Sequence, residues 1–576
     1  MAAPGAAPRG RLARCLVAAS LALLVNASAA QALTVSVDDG HTYMAAFQDV
    51  TCKSDVVLQP GSTQEVADAI KAQAAAAAAA GRALKVRATH KAFHSTATFP
   101  CPGGSWSIFP SGAGAAPLLA TLHAPLPPDN VTSVTLLQDG MRRVLAVDHE
   151  AHTVRAQAGM LVSQLLREAE ALNMSLPLGS VPAFGDLTLG GVLVTGAHGS
   201  GHKAISSLGD ILLEVTWVDG QGEVHVDARN STAGRALVGG LGVAGMVTEL
   251  LLQLTPPSHT QLSTRFKRPD ADLVADDKLP LVGLPVWAAI QETSVGHAMA
   301  NLHNGRRMFE GVGDTNHMQA RRGAAPAPHC RRRARPLQRR PRGHARRRPV
   351  THTRTHAQSV SCGDKCLWNM GSKIAMEDIH MSVELDQLAD WVADVKAIVD
   401  ADLFEGGARA RRRLSPGYFW LRFGSGSADF LGHTSGMTAP VHVQMSFMKS
   451  MANPLQPNKH GWVLEAIEQL TLCKYKGKPH WGKNKPRTFV HPTCHVADHL
   501  PLWGDAAAFR AGSDPARVFE PQLFVDMAAR APPRLSPGCS PRGECFCVES
   551  LHCAPGFVCV PSAAFPEYNV CKLPAH

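Results

Sequence analysis

Aromatic residues, charged residues and long hydrophobic runs are all scarce in this chain. Phe, Trp and Tyr together make up 6% of the 576 residues, and Asp, Glu, Lys and Arg make up 18%. Beyond the N-terminal region no stretch approaches the roughly eighteen uninterrupted apolar residues of a transmembrane helix, which argues against a multi-span membrane protein. A hydrophobic content of 45% is typical of globular proteins, and the length predicts two or more domains.

Acidic residues are absent from one strongly basic stretch, and this local bias explains the net charge. The formal charge is +10, and thirteen arginines lie between Arg321 and Arg354 with no Asp or Glu among them. Removing those thirteen charges from +10 leaves −3 for the rest, so we predict no nucleic-acid partner. The stretch 319–360 has almost no large apolar side chains, and we expect it to be disordered. A tether to an anionic surface and a translated non-coding insertion would both have this composition, and we favour the insertion.

The first 32 residues have the pattern of a secretory signal peptide. Three arginines precede an apolar run over residues 15–25, and small residues up to position 32 offer a cleavage site. The run is too short for a transmembrane helix, although it could hold the protein at a membrane. We predict the secretory pathway, with the protein in the endoplasmic reticulum lumen, membrane-associated or extracellular. A mitochondrial presequence is the alternative, because the segment is basic and free of acidic residues.

The fourteen cysteines fit an oxidising compartment. Six of them crowd into the tail, residues 535–576, which predicts a small module with three disulfides and fifteen possible pairings. A zinc site in the tail is the weaker interpretation, because its Cys-x-Cys lacks a second Cys-x-x-Cys, and we predict no metal site. Cys52 and Cys101 flank the first βα unit and could pair. Three sequons permit glycosylation, at Asn130, Asn173 and Asn230.

Strand and helix patterns alternate along the chain and predict an α+β fold. Ser62 and Glu65 form a capping box for a helix that continues through an alanine run to Gly81. We predict one domain at 45–257 and a second at 258–530, which the stretch 319–360 interrupts. Strands are predicted at 84–88, 153–156, 211–217, 223–226, 247–254, 418–423 and 441–448, and helices at 161–172 and 383–399.

The densest glycine cluster lies between Thr188 and His202. Two glycine turns flank a short apolar run that we interpret as a strand, and the bare backbone N–H groups of such turns commonly hold a diphosphate. The cluster has two companions. The segment 85–95 precedes Cys-Pro-Gly-Gly at 101–104, and a second glycine-rich segment spans 239–248.

These three segments, in this order, resemble the FAD-binding domain of the vanillyl-alcohol-oxidase-type flavoproteins. Within that superfamily the chain looks most like the aldonolactone oxidases, especially the plant L-gulonolactone oxidase-like proteins. The segments 464–469 and 474–484 are similar to the C-terminal signature of these enzymes. The resemblance implies a two-lobed FAD-binding domain of the PCMH type followed by an α+β substrate domain, with the cysteine-rich tail after it.

The resemblance implies FAD as the cofactor. His94 falls where the family often has a histidine bonded covalently to the flavin, and Ser95 follows it as the motif requires. We interpret His198 as structural, because a neutral imidazole can satisfy neighbouring backbone groups. The other implied FAD contacts are Thr188, Gly190, Gly191, Gly196, Ala197, Gly199, Gly242, Gly245 and Val247.

On the substrate side the resemblance points to His480, Lys483 and Arg422. Oxidation of a lactone C2–OH requires hydride transfer to flavin N5 and loss of the hydroxyl proton, and His480 and Lys483 can polarise the hydroxyl and the reduced ring. Pro182 matches a position over the flavin where alanine shields C4a from oxygen in dehydrogenases, so proline favours oxygen as the acceptor. Gln444 stands where relatives carry acidic residues, which leaves the substrate's identity open.

The sequence therefore predicts an FAD-dependent oxidase of a sugar 1,4-lactone. The substrate would be L-gulono-, L-galactono- or D-arabinono-1,4-lactone, oxidised at C2 to ascorbate or an analogue while oxygen becomes hydrogen peroxide. One alternative is a dehydrogenase that reduces cytochrome c, and another is an oxidase of a different sugar or alditol. A third is a non-catalytic secreted protein of the flavin fold whose tail binds a partner.

Overall fold

The computed structural model describes five main ranges, which are 50–102, 130–257, 376–403, 417–448 and 457–574, apart from Leu178, Ala183, His202, Lys203 and Lys459. It also describes five short strands outside them. The expected signal peptide lies outside the described residues, and so does the stretch 319–360 except for Thr351–Thr353. These three residues form a strand paired with Gln261–Ser263, so the prediction of disorder is wrong for them. Composition cannot reveal backbone pairing between segments so far apart in the chain.

The described elements are labelled here in chain order. The strands are β1 (Thr42–Ala45), β2 (Thr51–Lys53), β3 (Val56–Leu58), β4 (Ala83–Thr89), β5 (Ala92–Phe93), β6 (Trp106–Ser107), β7 (Val131–Leu137), β8 (Val144–Asp148), β9 (Thr153–Gln157), β10 (Leu212–Val218), β11 (Val224–Ala228), β12 (Met246–Gln253), β13 (Gln261–Ser263), β14 (Ala298–Asn301), β15 (Thr351–Thr353), β16 (Met376–Glu384), β17 (Gly417–Phe423), β18 (Pro440–Met448), β19 (Lys478–Pro479), β20 (Val558–Pro561) and β21 (Asn569–Lys572). The helices are α1 (Thr63–Ala79), α2 (Val162–Ala171), α3 (Leu189–Thr195), α4 (Thr232–Leu237), α5 (Leu388–Ile398), α6 (Trp462–Cys473), α7 (Pro486–Phe489), α8 (Val496–His499), α9 (Trp503–Ser513) and α10 (Gln522–Ala528).

The first lobe packs α1 on the parallel sheet β3-β7-β4. The predicted cap forms at Ser62, whose side chain accepts a hydrogen bond from the Glu65 N–H. The Glu65 carboxylate accepts hydrogen bonds from the Ser62 hydroxyl and from the N–H of Gly61, one residue before the cap. Gly81 follows the end of the helix with φ of +66°, a conformation that favours glycine. The proposed pair Cys52–Cys101 is a disulfide, which ties the start of this lobe to the segment after β5.

The second lobe is an antiparallel sheet with the order β11-β10-β12-β9-β8, and α2 and α3 pack on it. The strands predicted at 211–217 and 223–226 form the antiparallel pair β10 and β11, with Asp219 in the connection between them. The expectation of a strand between the glycine turns is wrong, because α3 is a helix. The Thr188 side chain caps its first turn, and Gly196 ends it in the left-handed region at φ +66°. A segment this short is ambiguous, because periodicity cannot separate a helix from a strand over so few residues.

The second domain is built on the sheet β14-β17-β18-β16-β19, whose two faces differ sharply. One face is apolar and packs against α5 and α6, and it carries Ile379, Val383, Phe419, Val443 and Phe447. The other face is polar, because register sets Arg422 opposite His442, His442 opposite Ser382, and Gln444 opposite His380. Partners directly opposite in an antiparallel pair share a face, so these buried polar side chains lie together. The helix predicted at 383–399 begins only at Leu388, since Val383 belongs to β16.

The tail is tied together by three disulfides, as the cysteine count predicts. The pairs are Cys539–Cys545, Cys547–Cys559 and Cys553–Cys571, and a further disulfide joins Cys473 to Cys494. The tail is also anchored to α6, since Glu465 accepts hydrogen bonds from Cys571 N–H and from the Ser540 hydroxyl. Among the described residues no helix is long and apolar enough to cross a membrane. The domain boundaries near 257 and 530 stay predictions.

Candidate functional site

A deep cleft lies where the two FAD-type lobes face the polar side of the second domain's sheet. It encloses about 1370 Å³ of empty space, part of it open to solvent. Its walls come from distant parts of the chain, including β4, the α3 region, the loop before β12, β17 and the segment after β19.

All but three of the predicted site residues line this cleft. The lining residues are His94, Ser95, Pro182, Thr188, Gly191, Ala197, His198, Gly242, Gly245, Val247, Arg422, His480 and Lys483. The three exceptions are Gly190, Gly196 and Gly199, and each allows close packing instead. A Cβ at Gly190 would lie 2.7 Å from the Gln138 amide nitrogen, and one at Gly199 would lie 2.1 Å from the Gly179 carbonyl oxygen. The structure places these three glycines outside the lining of the cleft, and their contact with FAD stays a prediction.

One end of the cleft is lined by backbone rather than by side chains. Gly242 takes φ of +63°, and a Cβ there would meet only the Gly245 carbonyl oxygen, at 3.7 Å. Arg87 holds this loop in place, because its guanidinium donates to the carbonyls of Leu241, Gly242 and Phe519. Because Gly242 has no side chain and Arg87 fixes the loop, a large cofactor can approach the backbone closely here. The residues present therefore suit a dinucleotide.

His94 lies in the cleft beside a carboxylate that the sequence did not reveal. Its Nε2 is 3.1 Å from Oδ2 of Asp186, and its ring centre is 5.7 Å from that of Phe184. Burial raises the pKa of Asp186, but the hydrogen bond and charge of His94 outweigh burial and hold that pKa below its ordinary value. Asp186 therefore stays ionised and fixes which His94 nitrogen faces away from it. A second histidine of the segment 85–95, His90, pairs with Asp139 instead, 2.9 Å away.

The three predicted catalytic residues converge at the other end of the cleft. Lys483 Nζ lies 2.9 Å from Oδ2 of Asp378. The Arg422 guanidinium donates to Gln444 Oε1 at 2.6 Å and to the His198 carbonyl at 3.2 Å. Burial lowers the pKa of Lys483, and nearby Arg422 adds to this effect while Asp378 opposes it. The site thus holds two cations, partly balanced by one buried carboxylate.

His480 has a defined tautomer. Its Nδ1 accepts a hydrogen bond from the Gly482 N–H at 3.0 Å, so in a neutral ring Nε2 carries the proton. Burial lowers its pKa well below the ordinary value, with His433 and Lys483 as further causes. The ring is therefore neutral and presents a hydrogen-bond donor. The neighbouring Asn484 amide bonds the carbonyls of His380 and His480, which anchors this segment to β16.

Sequence reasoning missed Asp186, Asp378 and His380. The last two lie on β16, a strand that the sequence analysis did not predict, and strand alternation would have placed them on one face with Ser382. Asp186 sits two residues before Thr188, close to a recognised motif. Its pairing with His94, 92 positions away, had no local signal.

Comparisons with known proteins agree with this geometry. Residues 110–227 match the family model described as an FAD binding domain, and residues 536–573 match the model of the L-gulonolactone oxidase 2-like C-terminal domain. L-gulonolactone oxidase 2 of Arabidopsis thaliana is 24% identical to this chain over 91% of it and 90% of the relative. Probable L-gulonolactone oxidase 6 of the same plant is 25% identical over 91% and 88%. Mouse L-gulonolactone oxidase is 32% identical over only 22% of this chain and 28% of its own.

A solved structure confirms the fold. A solvent-stable cholesterol oxidase superposes with a TM-score of 0.55 at 15% identity, covering 84% of this chain and 97% of that one. The predicted α+β class, with a two-lobed FAD-binding domain, is thereby confirmed. FAD is confirmed as the cofactor, and the resemblance to the L-gulonolactone oxidase-like flavoproteins is confirmed as well.

Proposed function

We propose that this chain, an FAD-dependent relative of the plant L-gulonolactone oxidases, oxidises a sugar 1,4-lactone at its C2 hydroxyl and passes the electrons to oxygen. The observation that carries the proposal is the convergence of His480, Lys483 and Arg422 on the cleft that also holds His94. A lactone offers a ring oxygen, a carbonyl and several hydroxyls, so it needs donors and positive charge in a compact space. These three side chains supply both.

When bound, FAD supplies the hydride acceptor. The backbone around Gly242 and Gly245 would hold its nucleotide end, and His94 would hold its ring. Asp186 lies 3.1 Å from Nε2 of His94 and so fixes the orientation of the ring in the cleft. A carboxylate in this position also stabilises positive charge on the imidazole while such a bond forms. We therefore propose that the link through His94 is covalent and that Asp186 orients the ring for it.

The substrate end works by donors fixed before the substrate arrives. His480 Nε2–H donates to a lactone oxygen without changing its protonation state, because its pKa lies well below neutrality. When the C2 hydride passes to the flavin, the hydroxyl proton would pass to water in the cleft, which is partly open to solvent. Lys483 and Arg422 would stabilise the negative charge that grows on the C2 oxygen and on the reduced ring. Preorganised charges of this kind cost no reorganisation during the reaction. The same arrangement favours an electron-rich substrate oxygen over an apolar alcohol.

The proposal that oxygen accepts the electrons is supported by Pro182, which lines the cleft. We also propose entry into the secretory pathway, since five disulfides link described cysteines and such bonds persist in oxidising compartments. A cytochrome c-reducing dehydrogenase of a mitochondrial compartment is the competing assignment, and the assay below separates the two.

The test is anaerobic reduction of the purified yellow protein by L-gulono-, L-galactono- and D-arabinono-1,4-lactone. We expect one of these lactones to bleach the flavin band and oxygen to restore it with formation of hydrogen peroxide. Rapid reduction of cytochrome c with slow oxygen uptake would move the assignment to a dehydrogenase. Failure of every lactone, alditol and aldose to bleach the flavin would overturn the proposed reaction.

A further inference from the structure

Four buried histidines meet directly beneath the cleft. They come from four separate segments, which are the loop after α3 (His198), β16 (His380), the loop after β17 (His433) and β18 (His442). Their exposed fractions are 3%, 0%, 4% and 1%. One ring nitrogen from each lies within 4.8 Å of the others, so the four rings surround a common point. The proposed lactone chemistry uses none of these rings as a substrate contact.

The spacing of the rings matches four imidazoles around one ion. Metal–nitrogen distances of about 2.0–2.1 Å in a tetrahedral site set ring centres roughly 5 Å apart. Five of the six pairs of ring centres are separated by 5.0 to 5.8 Å. The sixth pair, His198 and His442, lies closer, at 3.6 Å, so one of these rings must turn as an ion enters.

One ring has a lone pair available on Nε2, and the outer hydrogen bond of a second ring fixes its orientation. His198 Nδ1 lies 2.9 Å from the Gly199 carbonyl oxygen, which can only accept, so Nδ1 carries the proton and Nε2 does not. His442 Nδ1 lies 2.8 Å from the Ser382 hydroxyl, which leaves its Nε2 for the cluster. Outer hydrogen bonds of this kind orient metal-binding histidines in known sites. His198 Nε2 and His380 Nε2 are 3.2 Å apart, close to the roughly 3.3 Å between two ligands of a tetrahedral ion.

His433 gives the independent sign of a missing ligand. In the described structure neither of its ring nitrogens has a hydrogen-bond partner, although the residue is buried. A buried polar group without a partner is rare and costly, and a bound ion would satisfy this one. The chain also makes room for the ring, because a Cβ at Gly196 would lie 3.1 Å from its Cε1 and Nδ1 atoms.

The four histidines are uncharged, as histidine ligands must be, but a nearby cation opposes the binding of a metal ion. Burial lowers the pKa of all four rings, in His433 to about 3, and neutral imidazole is the form that binds metals. Arg422 is the opposing cation, since its Nη2 lies 3.4 Å from His380 Nδ1 and can only donate to it. Without an ion, neutral His380 therefore carries its proton on Nε2 and donates it to His198 Nε2, and metal binding has to displace this proton. Its shorter hydrogen bond goes to Gln444, so the guanidinium is directed along the sheet. We expect Arg422 to weaken the affinity without blocking the site.

We propose that His198, His380, His433 and His442 form a four-coordinate site for a first-row transition-metal ion, with Zn²⁺ as the expected occupant. Imidazole ligands suit zinc and copper, and a tetrahedral set without an open position is typical of structural zinc. The ion would join the loop after α3 to β16 and β18, and so fix the FAD-binding lobes against the substrate domain. This replaces the prediction of no metal site, which short sequence spacings could not reveal because His198 and His380 are 182 positions apart. Two other groups of side chains in the described residues are close enough to bind a metal ion, but their cysteines are paired in disulfides and cannot be ligands.

The first test uses the full-length, untagged protein. After dialysis against a weak chelator, metal analysis by mass spectrometry should find one equivalent of zinc per chain. After a strong chelator the thermal midpoint should fall, and added Zn²⁺ should restore it. Reconstitution with Co²⁺ should give the intense visible bands of tetrahedral cobalt, at wavelengths beyond the flavin absorption. Absence of bound metal, of a midpoint shift and of cobalt bands would overturn the proposal and leave a metal-free hydrogen-bonded cluster.

Variants locate the ion. His433→Gln and His442→Gln should each reduce the metal content at least tenfold and abolish the cobalt bands. The matched control is His491→Gln, which removes another buried histidine outside the four-ring cluster and should keep one equivalent. The flavin spectrum of each variant shows whether it has folded. Retention of one zinc by both folded cluster variants would place the metal elsewhere and contradict the assignment.

Discussion

Replacement of Lys483 by Met, alone and together with Asp378→Asn, should distinguish a catalytic role of the lysine charge from a structural one. Lys483 Nζ pairs with Asp378, whose side chain is 2% exposed. Loss of one preorganised charge at a reacting centre typically costs roughly 2.7–4 kcal/mol, about a hundred- to a thousandfold in kcat. The same change strands a buried carboxylate, and breaking a buried pair costs up to about 3–5 kcal/mol of stability. A single variant would therefore lose both rate and stability, and neither loss alone would show the role of the lysine.

The double variant Lys483→Met/Asp378→Asn resolves this ambiguity. The introduced asparagine removes the stranded charge and keeps a side-chain amide that can hydrogen-bond Gln444 and Ser446, the present partners of Asp378. We expect the double variant to recover most of the thermal midpoint lost in Lys483→Met, while lactone-dependent flavin reduction stays at least a hundredfold slow. The control is Lys474→Met, which removes an exposed pair with Asp394 and should change either quantity little.

The measurement is stopped-flow reduction of the flavin under anaerobic conditions, together with thermal unfolding of the same preparations. Flavin reduction isolates the chemical step from reoxidation, so the acceptor does not affect the result. If the double variant regains the wild-type reduction rate along with its stability, Lys483 acts only through folding, and the electrostatic argument for it is wrong.

Two further predictions concern the flavin link and the buried histidines. Trichloroacetic acid should precipitate the wild-type protein together with its flavin. His94→Ala should release all of its flavin into the supernatant, and Asp186→Asn should release a larger fraction of its flavin than wild type. Flavin found entirely in the wild-type supernatant would contradict the covalent link. In protein freed of metal by a strong chelator, the four neutral histidines should make stability fall on acidification, because their folded pKa values lie below the unfolded value of about 6.5. Their contribution to stability is complete above that pH and is lost as the pH falls below it. Below pH 6.5, each such histidine lowers the free energy of unfolding by up to about 1.4 kcal/mol per pH unit. For His433 this loss continues down to its folded pKa of about 3. A thermal midpoint unchanged between pH 7 and pH 5 would contradict this expectation, and a shallower fall in His433→Gln would support it.

The sequence alone determined the features that depend on neighbours along the chain. The cap at Ser62 and the glycine after α1 specify their helix because both act within a few residues of it. Alternation places β17 and β18, and cysteine density predicts the tail module. The segments 85–95, 188–202 and 239–248 predicted the FAD domain through their resemblance to a known family, and the same resemblance at His480 and Lys483 predicted the substrate side of the cleft.

Local pattern failed where too few residues carried the signal or where the partners lie far apart. The short run between the glycine turns did not distinguish α3 from a strand, and only its caps show it to be a helix. Asp378 and His380 went unnoticed because β16 was not predicted as a strand. Side-chain direction on a strand becomes meaningful only once register is known.

Tertiary structure alone decided which side chains meet. Asp186 reaches His94 across 92 positions, Asp378 reaches Lys483 across 105, and His198 reaches His380 across 182. Such contacts form because lobes and sheets bury their apolar faces, and the polar side chains then gather in the spaces between them. A sequence lists these residues, but their mutual distances, and with them the candidate catalytic and metal sites, are set by the packing of the whole fold.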